Sequence, residues 1–121
     1  SHTDKAGDSD VSYKEYWDDL SAACNDDIMK SDNLMTALVI YRETSWQISS
    51  HALEFKNAGV TKTEMTTILD NIEKRLSDEI EKSEQYNTDE ASQMDHEVRD
   101  NLSSARKAVQ ITFAKEAGDH E

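Results

Sequence analysis

Apolar residues return along this chain at steps of three and four, the period of one helical face. In the first stretch Tyr13, Tyr16, Trp17, Leu20, Cys24 and Ile28 share a face, which predicts a helix over about 11–30 with Ser9 or Asp10 as its cap. A second helix is predicted over about 33–58, and it carries two apolar series rather than one. Leu34, Leu38, Tyr41, Ser45, Ile48, Ala52 and Phe55 form a strict 4-3-4-3 stripe. Met35, Val39, Arg42, Trp46, Ser49 and Leu53 form a second stripe about 100° around the axis. Two stripes predict packing on two sides, at the centre of a bundle or across a dimer interface.

Gly59 stands where a left-handed C-terminal residue would end that helix. Thr61-Lys62-Thr63-Glu64 then spells a capping box. A third helix follows over about 62–84, with Met65, Ile68, Leu69, Ile72, Leu76 and Ile80 on one face. Asp70–Lys74 and Asp78–Lys82 are acid-first pairs four residues apart on its outer side. The fourth helix is predicted over about 89–117, capped by Asn87 or Thr88 and stopped by Gly118. Ala91, Met94, Val98, Leu102, Ala105, Val109 and Phe113 line its face. The expected fold is therefore all-α, an antiparallel four-helix bundle within one domain, 11–118, preceded by a flexible acidic tail, 1–10. A homodimer through the second helix is compatible with that pattern.

Composition agrees. The 121 residues include no proline and three glycines, too few turn residues for a β-sandwich or barrel. None of the glycines is expected inside a helix. Twenty-six acidic side chains against thirteen basic ones give a net charge of −13, which excludes direct binding to nucleic acid phosphates. The surplus avoids the second helix: residues 32–59 hold three acids and two bases. No apolar run is long enough to cross a membrane. A lone cysteine rules out an internal disulfide and a cysteine-based zinc cage.

Chemistry is harder to find. Gln93-Met94-Asp95-His96 approaches a di-iron Glu-x-x-His string but starts on the wrong residue. His51-Ala52-Leu53 resembles the start of a phosphotransfer helix, yet Glu54 and Phe55 stand where that family has Lys and Gly. His51 falls on the polar side with Glu43, Gln47 and Glu54, as a solvated histidine would. No nucleophile elbow and no glycine-rich phosphate loop is present, so neither an enzyme nor a metal or other cofactor is expected.

What survives is a group on the second helix: Arg42, Ser45 and Ser49 between the two stripes, with Trp46 beside them. A cation there must pair with an acid of a neighbouring helix, or else the group is a polar patch with an aromatic anchor that meets another protein. Acidic clusters at Asp18-Asp19 and at Asp78-Glu79 could attract a basic partner. The expected function is a non-enzymatic protein-binding module that occludes a basic or grooved surface: an inhibitor, an immunity or exclusion factor, or an escort chaperone. The alternatives are a DNA mimic that antagonises a DNA-binding protein, and an exported helical sensor or ligand-binding bundle. The compartment stays open, with export preferred, since the single thiol and the start at Ser1 are compatible with it.

Overall fold

A computed structural model describes residues 5–25, 34–80, 82 and 88–119, and among them there are four helices and no strand. Helix α1 spans Lys5–Asn25 and α2 spans Leu34–Asn57. Helix α3 spans Lys62–Arg75 and continues as a π-helical turn, Leu76–Ile80; α4 spans Asp89–Asp119. The all-α bundle expected from the periodicity is the fold.

The order of the helices in space follows from their cross-contacts. Tyr13 of α1 meets His51 of α2 while Cys24 meets Thr44, so α1 and α2 run antiparallel. Arg106 of α4 reaches Asp70 and Glu73 of α3, while Lys62 lines a cavity with Gln110, so that pair is antiparallel too. Helices α2 and α4 are different. Arg42 bonds to Glu97, and Lys56 bonds to the Thr112 carbonyl. Both helices therefore advance in the same direction, and they form the most extensive interface of the molecule. Consecutive helices alternate in direction, and the central seam is a parallel pair.

That seam is built from the first stripe of α2. Leu38, Tyr41, Ser45, Ile48, Ala52 and Phe55 are all buried, and Ala91, Val98, Leu102, Ala105, Val109 and Phe113 bury the matching face of α4. Ala91, Ala105 and Ser45 are the small residues among them, each fully buried. Phe55 is the junction with α1. The rings of Trp17, Tyr13 and Tyr16 stand 5.3, 5.6 and 6.1 Å from its own, the first two edge-on, the packing aromatic quadrupoles favour.

Local signals decide the turn between α2 and α3. The Gly59 N–H donates to the Lys56 carbonyl and the Val60 N–H to the Phe55 carbonyl, at 3.0 and 2.9 Å. These are the two bonds of a Schellman motif, and they require the left-handed φ of +103° that Gly59 adopts. Val60 and Phe55, both buried, supply its hydrophobic contact. The capping box then starts α3: the Glu64 N–H donates to Thr61 Oγ1 at 3.1 Å, and the Thr61 N–H donates to Glu64 Oε1 at 2.9 Å. Thr88 Oγ1 caps α4 by accepting from the Ala91 N–H.

Several expectations are corrected. Helix α1 begins at Lys5, so Ser9 and Asp10 lie inside it and Gly7 is helical. Helix α4 runs through Gly118 to Asp119. Among the described residues Gly59 alone has positive φ, and without that backbone turn a glycine does not stop a helix. Asp70 pairs with Arg106 across the α3–α4 interface rather than along its own helix. Asp78 and Lys82 are both described, and no ion pair joins them. Asn33, Asn87, the 26–30 end of the first predicted helix and most of 81–87 lie outside the described residues.

Candidate functional site

The two stripes of α2 have opposite fates. The first is the core. The second lies at the surface: Val39, Trp46 and Leu53 are 45, 48 and 54 % exposed. They are seven residues apart. Seven residues make about two helical turns with a drift of only ~20° per step, so Val39 and Trp46 lie in line on α2, and Leu53 follows beyond the irregular backbone at His51. Val39 and Trp46 are about 10 Å apart at ~1.5 Å per residue. The second side on which α2 packs is carried instead by Ala37 and Thr44, both buried. Thr44 accepts a hydrogen bond from the Cys24 thiol at 3.3 Å.

Beside Trp46 the α2–α4 seam opens into a cleft of about 320 Å³ lined by Arg42, Glu43, Trp46, Glu97, Asp100 and Asn101. Arg42 Nη1 donates to Glu97 Oε1 at 3.0 Å, the interhelical ion pair anticipated for that cation. Asn101 Nδ2 donates to the Arg42 carbonyl at 3.3 Å. Glu43 accepts from Gln47 Nε2 at 2.6 Å and from the Tyr16 hydroxyl at 3.4 Å. Both donors are neutral, so they fix the carboxylate without cancelling its charge. The Tyr16 hydroxyl is in turn pushed above the ordinary phenol range by burial and by the adjacent Glu43. The wall thus holds three carboxylates against one guanidinium.

Further along α2 the helix kinks at His51, where φ is −131° and ψ is 26°. Ser49 and Ser50 precede the kink, a pairing of residues that commonly hosts one. His51 Nδ1 lies 3.4 Å from both the Tyr13 hydroxyl and Glu54 Oε1, and the Trp46 ring stands edge-on 6.2 Å away. The histidine is half-buried and held by neighbours rather than fully solvated. It offers no phosphate-accepting surround.

The predicted site residues separate into three groups. Arg42 and Trp46 meet in the cleft, and Ser49 is half-buried on the same helix. Ser45 is fully buried, its hydroxyl donating to the Tyr41 carbonyl at 2.8 Å, so it belongs to the seam and not to a docking surface. Asp18, paired with Lys14 at 3.6 Å, and Asp19 lie on the exposed side of α1, and Asp78 on the π-helical turn. None of these three lines the cleft. The side chain of Glu79 lies outside the described set.

Sequence reasoning missed Glu97, Asp100 and Asn101, which reach the site from α4. The parallel register of α2 and α4 brings them there, and no local pattern announces it. It also missed Asp95, buried at 4 % exposure and bonded to Arg99 Nε at 2.9 Å one turn along α4. Among the described residues no group of three or more His, Cys, Asp or Glu could hold a metal ion. Among the described residues no helix is long and apolar enough to cross a membrane. No protein-family model, curated protein or solved structure matches the chain.

Proposed function

We propose that the chain is a non-enzymatic protein-binding module that engages its partner through the outer face of α2, with Trp46 as the central anchor. The observation that supports this reading is the series Val39, Trp46 and Leu53, about half exposed on the least charged helix of a chain whose net charge is −13. Trp46 stands out among them, because a half-exposed indole at the rim of a cleft is a large apolar surface left uncovered. Tryptophan flanked by arginine is the composition of interface hot spots. The acidic surface elsewhere keeps the chain soluble and speeds encounter with a basic partner.

The test is site-specific photo-crosslinking in the source cell, with the crosslinker at exposed Ser50 beside the series or at exposed Asn71 on α3. One stoichiometric protein captured from position 50 and not from position 71 is the expected result. Equal capture from both positions, or none from either, would sink the proposal.

A further inference from the structure

We infer that the occupant of this face is a basic amphipathic helix whose lysine or arginine side chain enters the cleft beside Trp46, with an apolar side chain about two turns away seated on Val39. The inference rests on the docking role of the Trp46 face and gives its occupant a chemistry. Three observations carry it.

The first is shape. Apolar anchors seven residues apart on one helix are the complement of a second helix, which presents its own anchors at the same interval. Val39 and Trp46 stand so, about 10 Å or two turns apart, on the run of α2 before the kink at His51.

The second is charge. Arg42 occupies Glu97, and Glu43 and Asp100 remain as carboxylates on the walls of an open cleft. Asp100 has His96 Nε2 at 3.7 Å on its outer side, on an imidazole that is itself well exposed. A cationic side chain entering the cleft would meet both carboxylates and the indole of Trp46, which attracts cations to its π-face. Desolvated pairs of this kind set register as well as affinity.

The third is what the same charge excludes. A second copy would set one net charge of −13 against another and place an identical acidic cleft opposite this one. Nucleic acid is repelled for the same reason.

The probe is a fluorescently labelled helical peptide with leucine and lysine seven residues apart on one face and a lysine-rich outer face. A second peptide carries norleucine in place of that lysine, and a third carries an acidic outer face. Anisotropy titration of the intact protein should give saturable binding of the first peptide that weakens with salt. Trp46→Ala should weaken it at least about tenfold, the scale of an aromatic anchor. The double variant Glu43→Gln/Asp100→Asn should erase the preference for lysine over norleucine. All three substituted positions are exposed, and circular dichroism checks that the variants fold.

Equal binding by wild type and Trp46→Ala would overturn the inference, because attraction would then be general rather than sited. So would equal binding of the lysine and norleucine peptides, or a wild-type dimer that Trp46→Ala dissolves. A protein crosslinked from position 50 in cells, combined with no binding of the lysine peptide, would overturn the basic-helix occupant and leave the docking role standing. Failure of the crosslinking itself would remove the docking role beneath it.

Discussion

Arg42 of α2 and Glu97 of α4 share a 3.0 Å ion pair inside the cleft that Trp46 lines, tying two parallel helices at the point where their seam opens to solvent. The side chains are 40 and 43 % exposed, so solvent screens the pair. Exposed pairs contribute about 0.2–1 kcal/mol. A double-mutant cycle of Arg42→Ala and Glu97→Gln, read by urea denaturation, should return a coupling in that range. Trp46→Ala should change stability by about 0.5 kcal/mol or less, as substitutions of exposed side chains generally do. Trp46→Ala should instead lose partner capture. Capture unchanged in the folded Trp46→Ala protein would return the cleft to a purely structural role.

Phe55 provides the contrasting case. It is fully buried, is ringed by Tyr13, Tyr16 and Trp17, and its carbonyl closes the Schellman turn. Phe55→Ala should lower stability by about 3–5 kcal/mol, the range for deleting a core aromatic. The near-UV dichroism of the Trp17 cluster should collapse with it. A loss of under 1 kcal/mol would mean that α1 is not anchored through this ring.

How much of this was legible in the sequence differs by element. The core faces of α3 and α4 follow the apolar period closely, from Met65 to Leu76 and from Ala91 to Phe113, with Met94 only half-buried and Asp95 buried beside it. The turn at Gly59–Glu64 was legible because its determinants are local. Helix α2 was half legible. Its two stripes were visible, but periodicity cannot say which one meets α4 and which meets solvent. That choice depends on the parallel register of α2 and α4, a long-range property set by the intervening α3. The same register assembles the cleft, so Arg42 and Trp46 could be named in advance while Glu97, Asp100 and Asn101 could not.

The capping box makes α3 sensitive to acid. The Thr61 backbone N–H donates to the Glu64 carboxylate and holds it below the ordinary carboxylate range, with a smaller contribution from the Thr61 hydroxyl. A depressed carboxyl pKa adds stability that is present above the unfolded value and is lost as pH falls through the folded one. The urea midpoint of the wild type should therefore decline on the acid side, and Glu64→Gln should show a shallower decline. Thr61→Ala removes the acceptor for the Glu64 N–H and should lower stability by about 1 kcal/mol at neutral pH. Identical acid limbs for wild type and Glu64→Gln would show that the box does not titrate with folding.

Gly59 separates backbone conformation from packing. A Cβ added there meets nothing within 4 Å, yet φ is +103°. Gly59→Ala should thus lower stability by about 1–2 kcal/mol through the left-handed backbone alone. Gly59→Asn should recover part of the loss, since asparagine tolerates this region better. If alanine proves neutral by thermal denaturation, the Schellman turn relaxes without disturbing Val60 and Phe55.

Cys24 links core packing to alkaline pH. Burial pushes its thiol above the ordinary range, against the lesser opposing influences of the Thr44 hydroxyl and the Arg75 charge. A folded-state pKa raised in this way means that the neutral thiol is the form the core accepts. Its contribution is complete below the unfolded thiol pKa and is lost as pH climbs from there through the raised folded value. Stability should therefore fall on the alkaline side in wild type. Cys24→Ala should show a shallower fall, leaving the part that the raised Tyr16 hydroxyl contributes, while lowering stability at neutral pH by about 1–2 kcal/mol, through a small cavity and the lost thiol bond to Thr44. In the native state a water-soluble disulfide reagent should modify Cys24 at least about a hundredfold more slowly than in urea, because reaction requires an opening of the α1–α2 interface. Rapid native modification would place the thiol at the surface and break the account of how α1 is docked.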